Sequence, residues 1–263
     1  MQTNLKRVVI IGTGWLGHAL KTYLVERGVE VESTSRQPKA GADILKFNVP
    51  QSVCEVTLKD AHWVFCIPPG RQVEAQKEYT AYLESALEHA TRLNAKQFIM
   101  CSTTAVYPEG SGIYNEMSPC TAGSSRQQRL LNNETLVKKK FQNYSIVRLG
   151  GLLGPNRHPG RFLAGKTLNS SGNATINMLH QVDAVKGLTY MIENDITQPI
   201  VNLVTPHHPS KQSFYSFAAE LVNAEAPVFS SDEKSERLIA SRVIADLGYQ
   251  FEYDDLFSAL RHC

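Results

Sequence analysis

The run Arg7-Val8-Val9-Ile10-Ile11-Gly12-Thr13-Gly14-Trp15-Leu16-Gly17-His18-Ala19-Leu20 decides the fold. Four β-branched residues after Arg7 read as a buried strand. A helix pattern follows over residues 15–27, with Leu16, Leu20, Tyr23 and Leu24 on one face and Gly28 as the stop. Between them stands Gly-x-Gly-x-x-Gly, a weak signal alone but a specific one when it closes a strand and opens a helix. Each glycine has its own task. Gly12 permits a tight turn, Gly14 lets the backbone approach a pyrophosphate, and Gly17 lets the helix pack close to the strand. The free N–H groups and positive end of the helix would then meet the phosphates. Thr13, Trp15 and Leu16 fill the turn, and Trp15 is expected to cover the pyrophosphate or pack beside it.

Further strands are expected at residues 29–34, 43–47, 62–67, 97–101 and 144–149. Pro68-Pro69-Gly70 closes the fourth strand segment, so Pro68 and Pro69 join the expected cofactor-binding set. Helices are expected at 73–94 and 125–139. Beyond Leu149 the chain changes character: residues 150–172 are rich in Gly, Pro, Asn and Arg and read as loops. A helix at 182–192, a strand at 200–204, a helix at 214–223 and two short C-terminal segments complete the pattern. Strands alternating with helices imply βαβ units and a parallel sheet. The expected class is α/β, a Rossmann-type doubly wound parallel sheet flanked by helices. Residues 1–150 would form the NAD(P)-binding domain and 151–263 a small C-terminal substrate-binding region, packed on it or interleaved with its sheet.

Cofactor choice turns on the end of the second strand, Glu30-Val31-Glu32-Ser33-Thr34-Ser35-Arg36. A strand running to Thr34 puts Ser35 and Arg36 at its tip, where a hydroxyl and a guanidinium suit the 2′-phosphate of NADP. A strand stopping earlier would instead offer Glu32 to the ribose hydroxyl of NAD, the alternative.

Composition excludes several classes. With 263 residues, 42% hydrophobic, 20% charged and a formal net charge of +2, the chain can bury a core and has no electrostatic case for nucleic acid or an anionic membrane. Its one basic run, Lys138-Lys139-Lys140, suits a helix C-terminus. No stretch reads as a membrane span or signal peptide. Cys54, Cys66, Cys101, Cys120 and Cys263 form no Cys-x-x-Cys pair and read as reduced thiols of a cytoplasmic protein.

Several strings resemble the extended short-chain dehydrogenase/reductase superfamily, in particular its NAD(P)-dependent epimerase/dehydratase family. They are the glycine turn, Cys101-Ser102-Thr103-Thr104-Ala105-Val106-Tyr107-Pro108, Val147-Arg148-Leu149-Gly150-Gly151-Leu152-Leu153-Gly154-Pro155 and Asn177-Met178-Leu179-His180-Gln181-Val182-Asp183. The short C-terminal part and Pro68-Pro69 resemble its atypical, YeeZ-like branch. The resemblance implies a hydroxyl that hydrogen-bonds the reacting oxygen, best matched by Thr103, with Ser102 and Thr104 adjacent. It also implies a Tyr-x-x-x-Lys pair, which no tyrosine here supplies. In that place the chain has Ser125 in the tyrosine slot and Arg129 in the lysine slot, or Arg126 and Leu130 one residue along. Neither serine nor arginine reproduces the proton chemistry.

Tyr107, Glu116 or water would have to supply the proton, against a packed aromatic as the plainer role for Tyr107. Arg148, Arg157, Arg161 and His180 are the candidate substrate contacts, with loop organisation as the competing role. His180 and Asp183 would share a face if both were helical. His207-His208 lacks a third ligand, so no metal is expected. The expectation is an NADP(H)-dependent oxidoreductase acting on a small polar, sugar- or nucleotide-sugar-derived substrate. The alternatives are a non-catalytic NADP(H)-binding sensor and an epimerase or dehydratase with a non-standard acid/base. A homodimer through the two long helices is the family-like assembly.

Overall fold

In the computed structural model, which describes residues 6–70, 73–231, 233 and 235–263, the apolar run of the first strand lies inside an eight-stranded sheet. The strands are β1 (Arg7–Ile11), β2 (Glu30–Ser35), β3 (Leu45–Asn48), β4 (Val53–Cys54), β5 (His62–Phe65), β6 (Gln97–Thr103), Tyr144–Leu149 and Ile200–Leu203. Across the sheet the order is Ile200–Leu203, Tyr144–Leu149, β6, β5, β1, β2, β3, β4. β1 pairs in parallel with β2 on one side and β5 on the other. β2 with β3 and β5 with β6 are also parallel, and the short edge pair β3 and β4 is antiparallel. The chain builds outward from β1 through β4, then crosses back to β5. That reversal makes the β1/β5 junction a topological switch point, where the carboxyl ends of the strands leave a crevice.

Three helices flank these strands: α1 (Trp15–Val25), α2 (Val73–Arg92) and α3 (Ser125–Lys140). Val8 through Ile11 are fully buried, which is why this run is apolar on both faces rather than alternating. One core cluster joins Val9, Ile11, Trp63, Phe65 and Phe98 of the sheet to Tyr79, Tyr82, Leu83 and Ala86 of α2.

The chain divides into two compact units. The first comprises residues 1–102, 124–147 and 188–200, the second 103–123, 148–187 and 201–263. The second has its own apolar cluster around Leu153, Ile176, Phe214 and Leu256. It also has three short parallel ladders: Gly151–Leu153 with Met178–His180, Thr167–Ser171 with Val228–Ser231, and Gly112–Tyr114 with Arg237–Ile239. The stretch 150–172, expected as loops, therefore holds two strands and the helical turn Pro159–Phe162. These strands are too short, and too rich in glycine and polar residues, to show a period of two.

Gly17 sets how closely α1 sits on its strand. A Cβ there would stand 2.2 Å from the Gly12 carbonyl oxygen and 3.3 Å from Ile10 Cγ2. Both the strand and the helix would have to part. We expect Gly17→Ala to destabilise the protein by about 3 kcal/mol, measured by urea unfolding. A loss below about 0.5 kcal/mol would show that this approach is not under constraint.

Candidate functional site

The carboxyl ends of β1, β2 and β5 surround a hollow of about 310 Å³. Gly12, Thr13, Gly14, Ser35, Arg36 and Pro68 line it, together with Ile67, Gly70, Tyr79 and Tyr82 among others. The glycine turn is strapped to β2 by three hydrogen bonds. Thr13 N–H and the Thr13 hydroxyl donate to Thr34 O at 2.8 and 2.9 Å, and Gly12 N–H donates to Thr34 Oγ1 at 3.2 Å. Gly12 itself has φ +100°, a left-handed backbone that favours glycine. Trp15, Leu16 and Gly17 form the first turn of α1, with Leu16 and Gly17 buried beneath it. Pro69 is half-buried beside Pro68.

α1 begins at Gly14 with no side-chain cap and no acidic residue in its first turn. Nothing lies within 4 Å of where a Gly14 Cβ would stand, and its φ of −84° and ψ of −157° are open to any residue. Gly14 is therefore required neither by its backbone angles nor by its neighbours. It fronts open space at the positive end of a helix, a setting that fits a pyrophosphate.

β2 runs through Ser35, so the strand does not stop early and Ser35-Arg36 is its tip. Glu32 is committed elsewhere: its carboxylate accepts from Thr57 N–H (2.9 Å), the Thr57 hydroxyl (2.7 Å) and Leu58 N–H (3.0 Å). Arg36 reaches across to α2, where Nη1 lies 2.9 Å from Glu78 Oε1.

At the end of β6 the Ser102 hydroxyl donates to Glu134 Oε1 at 2.7 Å. Glu134, on α3, is almost fully buried, and sequence reasoning missed it. The signal was present, because Gln127, Leu130, Glu134 and Val137 form the inward stripe of α3 and a carboxylate in such a stripe needs a partner. Burial pushes the Tyr79 phenol up, reinforced by Cys101 and Glu134 nearby. The Cys66 and Cys101 sulfurs lie 3.8 Å apart, both residues buried, and this contact with burial pushes the Cys66 thiol well up. At the start of α3, Ser124 caps the helix by accepting from Gln127 N–H at 3.2 Å, and Ser125 is exposed. Arg129 is half-buried and lines a different hollow of about 370 Å³, with Lys77, Thr80 and Asn133.

The remaining expected residues lie in the second unit. Thr103 Oγ1 accepts from Ala105 N–H at 3.2 Å, and Thr104 is buried. Tyr107 is fully buried, donates its hydroxyl to Asn202 Oδ1 at 2.9 Å and packs under the Arg148 guanidinium, 4.9 Å from the ring centre. Burial pushes its phenol up, against the lowering influence of Arg148 and Asn202. Glu116 accepts from the N–H groups of Asn202, Arg242 and Val243 at 3.1, 3.3 and 3.2 Å, and so anchors the start of the turn Arg242–Asp246. Arg157 and Arg161 are exposed.

His180 and Asp183 do not share a helical face. His180 ends the strand Met178–His180, whereas Asp183 lies in the first turn of the helix Gln181–Glu193. His180 Nδ1 accepts from Val182 N–H at 3.2 Å, which holds that junction. Among the described residues no group of three His, Cys, Asp or Glu could hold a metal ion, and no helix is long and apolar enough to cross a membrane.

The sequence matches the NAD dependent epimerase/dehydratase family over residues 8–203. The chain belongs to that family. It is 29% identical to protein YeeZ of Escherichia coli strain K12, across 95% of this chain and 97% of that protein. Among solved structures it resembles the human epimerase family protein SDR39U1 with NADPH, with a TM-score of 0.79, 20% identity and coverage of 97% and 98% of the two chains. It also resembles the UDP-glucuronic acid 4-epimerase of Bacillus cereus in complex with NAD, with a TM-score of 0.80, 17% identity and coverage of 97% and 94%. At those identities the likeness is one of fold.

Asp183 yields a prediction about pH. It is fully buried and accepts from Glu252 N–H (2.6 Å), Tyr253 N–H (3.2 Å) and the Tyr249 hydroxyl (3.4 Å). Burial outweighs these bonds and raises its pKa from 3.8 to about 6. The folded state therefore binds this proton more tightly than the unfolded state. Its stabilising effect is complete below about pH 4 and is lost as pH rises through about 6. Wild-type stability should fall over that window, relative to Asp183→Asn, by on the order of 3 kcal/mol. Urea unfolding across the range tests this; parallel profiles for the two proteins would refute it.

Proposed function

We propose that the chain is an NADP(H)-dependent oxidoreductase acting on a small polar, sugar- or nucleotide-sugar-derived substrate. The observation that carries the cofactor reading is the tip of β2. Ser35 and Arg36 border the hollow below the glycine turn, while Glu32 is held by residues 57 and 58. A hydroxyl and a guanidinium at that place match a 2′-phosphate through charge-assisted bonds. The first N–H groups of α1 would hold the pyrophosphate.

When bound, the nicotinamide would supply or accept a hydride. Thr103 is the hydroxyl best suited to the substrate oxygen. Its own oxygen already accepts from Ala105 N–H, which leaves its hydrogen to donate. Ser102 is less suited, because its hydrogen is directed to Glu134. Residues 151–263 would supply substrate contacts, with the exposed Arg157 and Arg161 offered to an anionic group. We assign proton delivery to water. Tyr107 gives its hydrogen to Asn202, and Glu116 accepts three backbone N–H groups.

That same commitment of Tyr107 and Glu116 favours a second reading, a cofactor-binding sensor without turnover. An epimerase or dehydratase is the less favoured reading, because α3 offers Ser125 and Arg129 where a tyrosine and lysine would be needed.

Gly14 separates binding from folding. We expect Gly14→Ala to leave unfolding stability within about 0.5 kcal/mol of wild type and to weaken NADPH binding, followed by fluorescence titration, at least about tenfold. Equal NADPH affinity in the two proteins would sink the cofactor site. In a screen of carbonyl and sugar substrates at the nicotinamide absorbance band, Thr103→Val should lower turnover by about a hundredfold with NADPH affinity preserved. Tight binding with no turnover across the screen would favour the sensor.

A further inference from the structure

The ion pair between Arg36 and Glu78 joins the tip of β2 to α2. Both residues border the 310 Å³ hollow and also a neighbouring hollow of about 480 Å³. The two hollows share Ser35, Arg36, Glu78 and Tyr82, so the pair stands where they meet. Among the described lining residues, Arg36 is the sole Lys or Arg and Glu78 the sole carboxylate of both hollows. The two side chains are 65% and 43% exposed. An ion pair this open to water is weak and easily parted.

Glu78 acts on a ribose phosphate in two ways. It offsets the charge of the guanidinium that would attract the phosphate, and it sets a negative charge well within a Debye length of any phosphate reaching Arg36. Towards an unphosphorylated ribose the effect reverses, because a carboxylate accepts from a hydroxyl. We propose that Glu78 is a specificity-determining residue of the dinucleotide site, positioning Arg36. The closed pair presents a carboxylate to the ribose 2′-hydroxyl of NAD(H), and the opened pair presents a guanidinium to the 2′-phosphate of NADP(H). This rests on the reading of the hollow as a nicotinamide dinucleotide site.

The test is a fluorescence titration of NADPH and of NADH against wild type, Glu78→Gln, Arg36→Gln and the double variant, at low and high salt. Both positions are on the surface, so all four proteins should melt alike. Glu78→Gln should tighten NADPH by about tenfold and should not tighten NADH. The gain should shrink at high salt and vanish when Arg36 is also replaced. Glu78→Asp, which keeps the charge, should restore the wild-type ratio of affinities. If Glu78→Gln leaves NADPH affinity unchanged, or tightens both dinucleotides equally, Glu78 does not set specificity and the cofactor reading stands. If wild type binds neither dinucleotide, both fall together.

Discussion

The closeness of α1 to β1 is the constraint on which the first unit depends. With 2.2 Å between the Gly12 carbonyl oxygen and a Cβ at position 17, no side chain fits between turn and helix. That contact brings the start of α1 to the carboxyl end of β1. The Thr13 and Gly12 bonds to Thr34 then carry the same geometry into β2. Placing Ser35 and Arg36 beside the glycine turn thus follows from Gly12, Gly17, Thr13 and Thr34 rather than from the side chains of Ser35 and Arg36. Gly14 differs in kind, because its neighbours leave room for a side chain.

Many polar groups of this protein are fully engaged in holding backbone. Glu116 and Asp183 each collect N–H donors from distant segments, and Glu32 fastens residues 57 and 58. Burying carboxylates in this way is tolerable only with such donors around them. It also commits their oxygens to backbone N–H groups. Tyr107 is held similarly, its hydroxyl on Asn202 and its ring under Arg148.

Much of the first unit was legible because its signals are local. Val8–Ile11 and the run from Trp63 to Phe65 are apolar over their whole length, and the glycine turn announces the junction between strand and helix. The second unit was less legible. Its strands are three to five residues long, and Gly112–Tyr114 and Thr167–Ser171 pair with segments far away in sequence, so no short window contains both partners. At His180 a strand gives way to a helix between two residues that a helical spacing would align, so spacing alone does not reveal the junction. Glu134 lies outside the tyrosine and lysine slots of α3, and only the burial of its helix face marks it.

The ladder joining Gly112–Tyr114 to Arg237–Ile239 also bears on how the protein is made. The bond from Glu236 N–H to the Ser111 hydroxyl beside it spans 125 residues of chain. On the ribosome, residues 112–114 emerge long before their partner strand exists. Closing so large a loop carries an entropic cost and makes pairing slow. β1 and β2 pair within the first 35 residues and can meet early in synthesis, whereas β5 completes its pairing only once β6 has been made. The ladder of Gly151–Leu153 with Met178–His180 can close earlier, but Gly112–Tyr114 stays without its partner strand until residue 239 is made, an exposed edge in the interval.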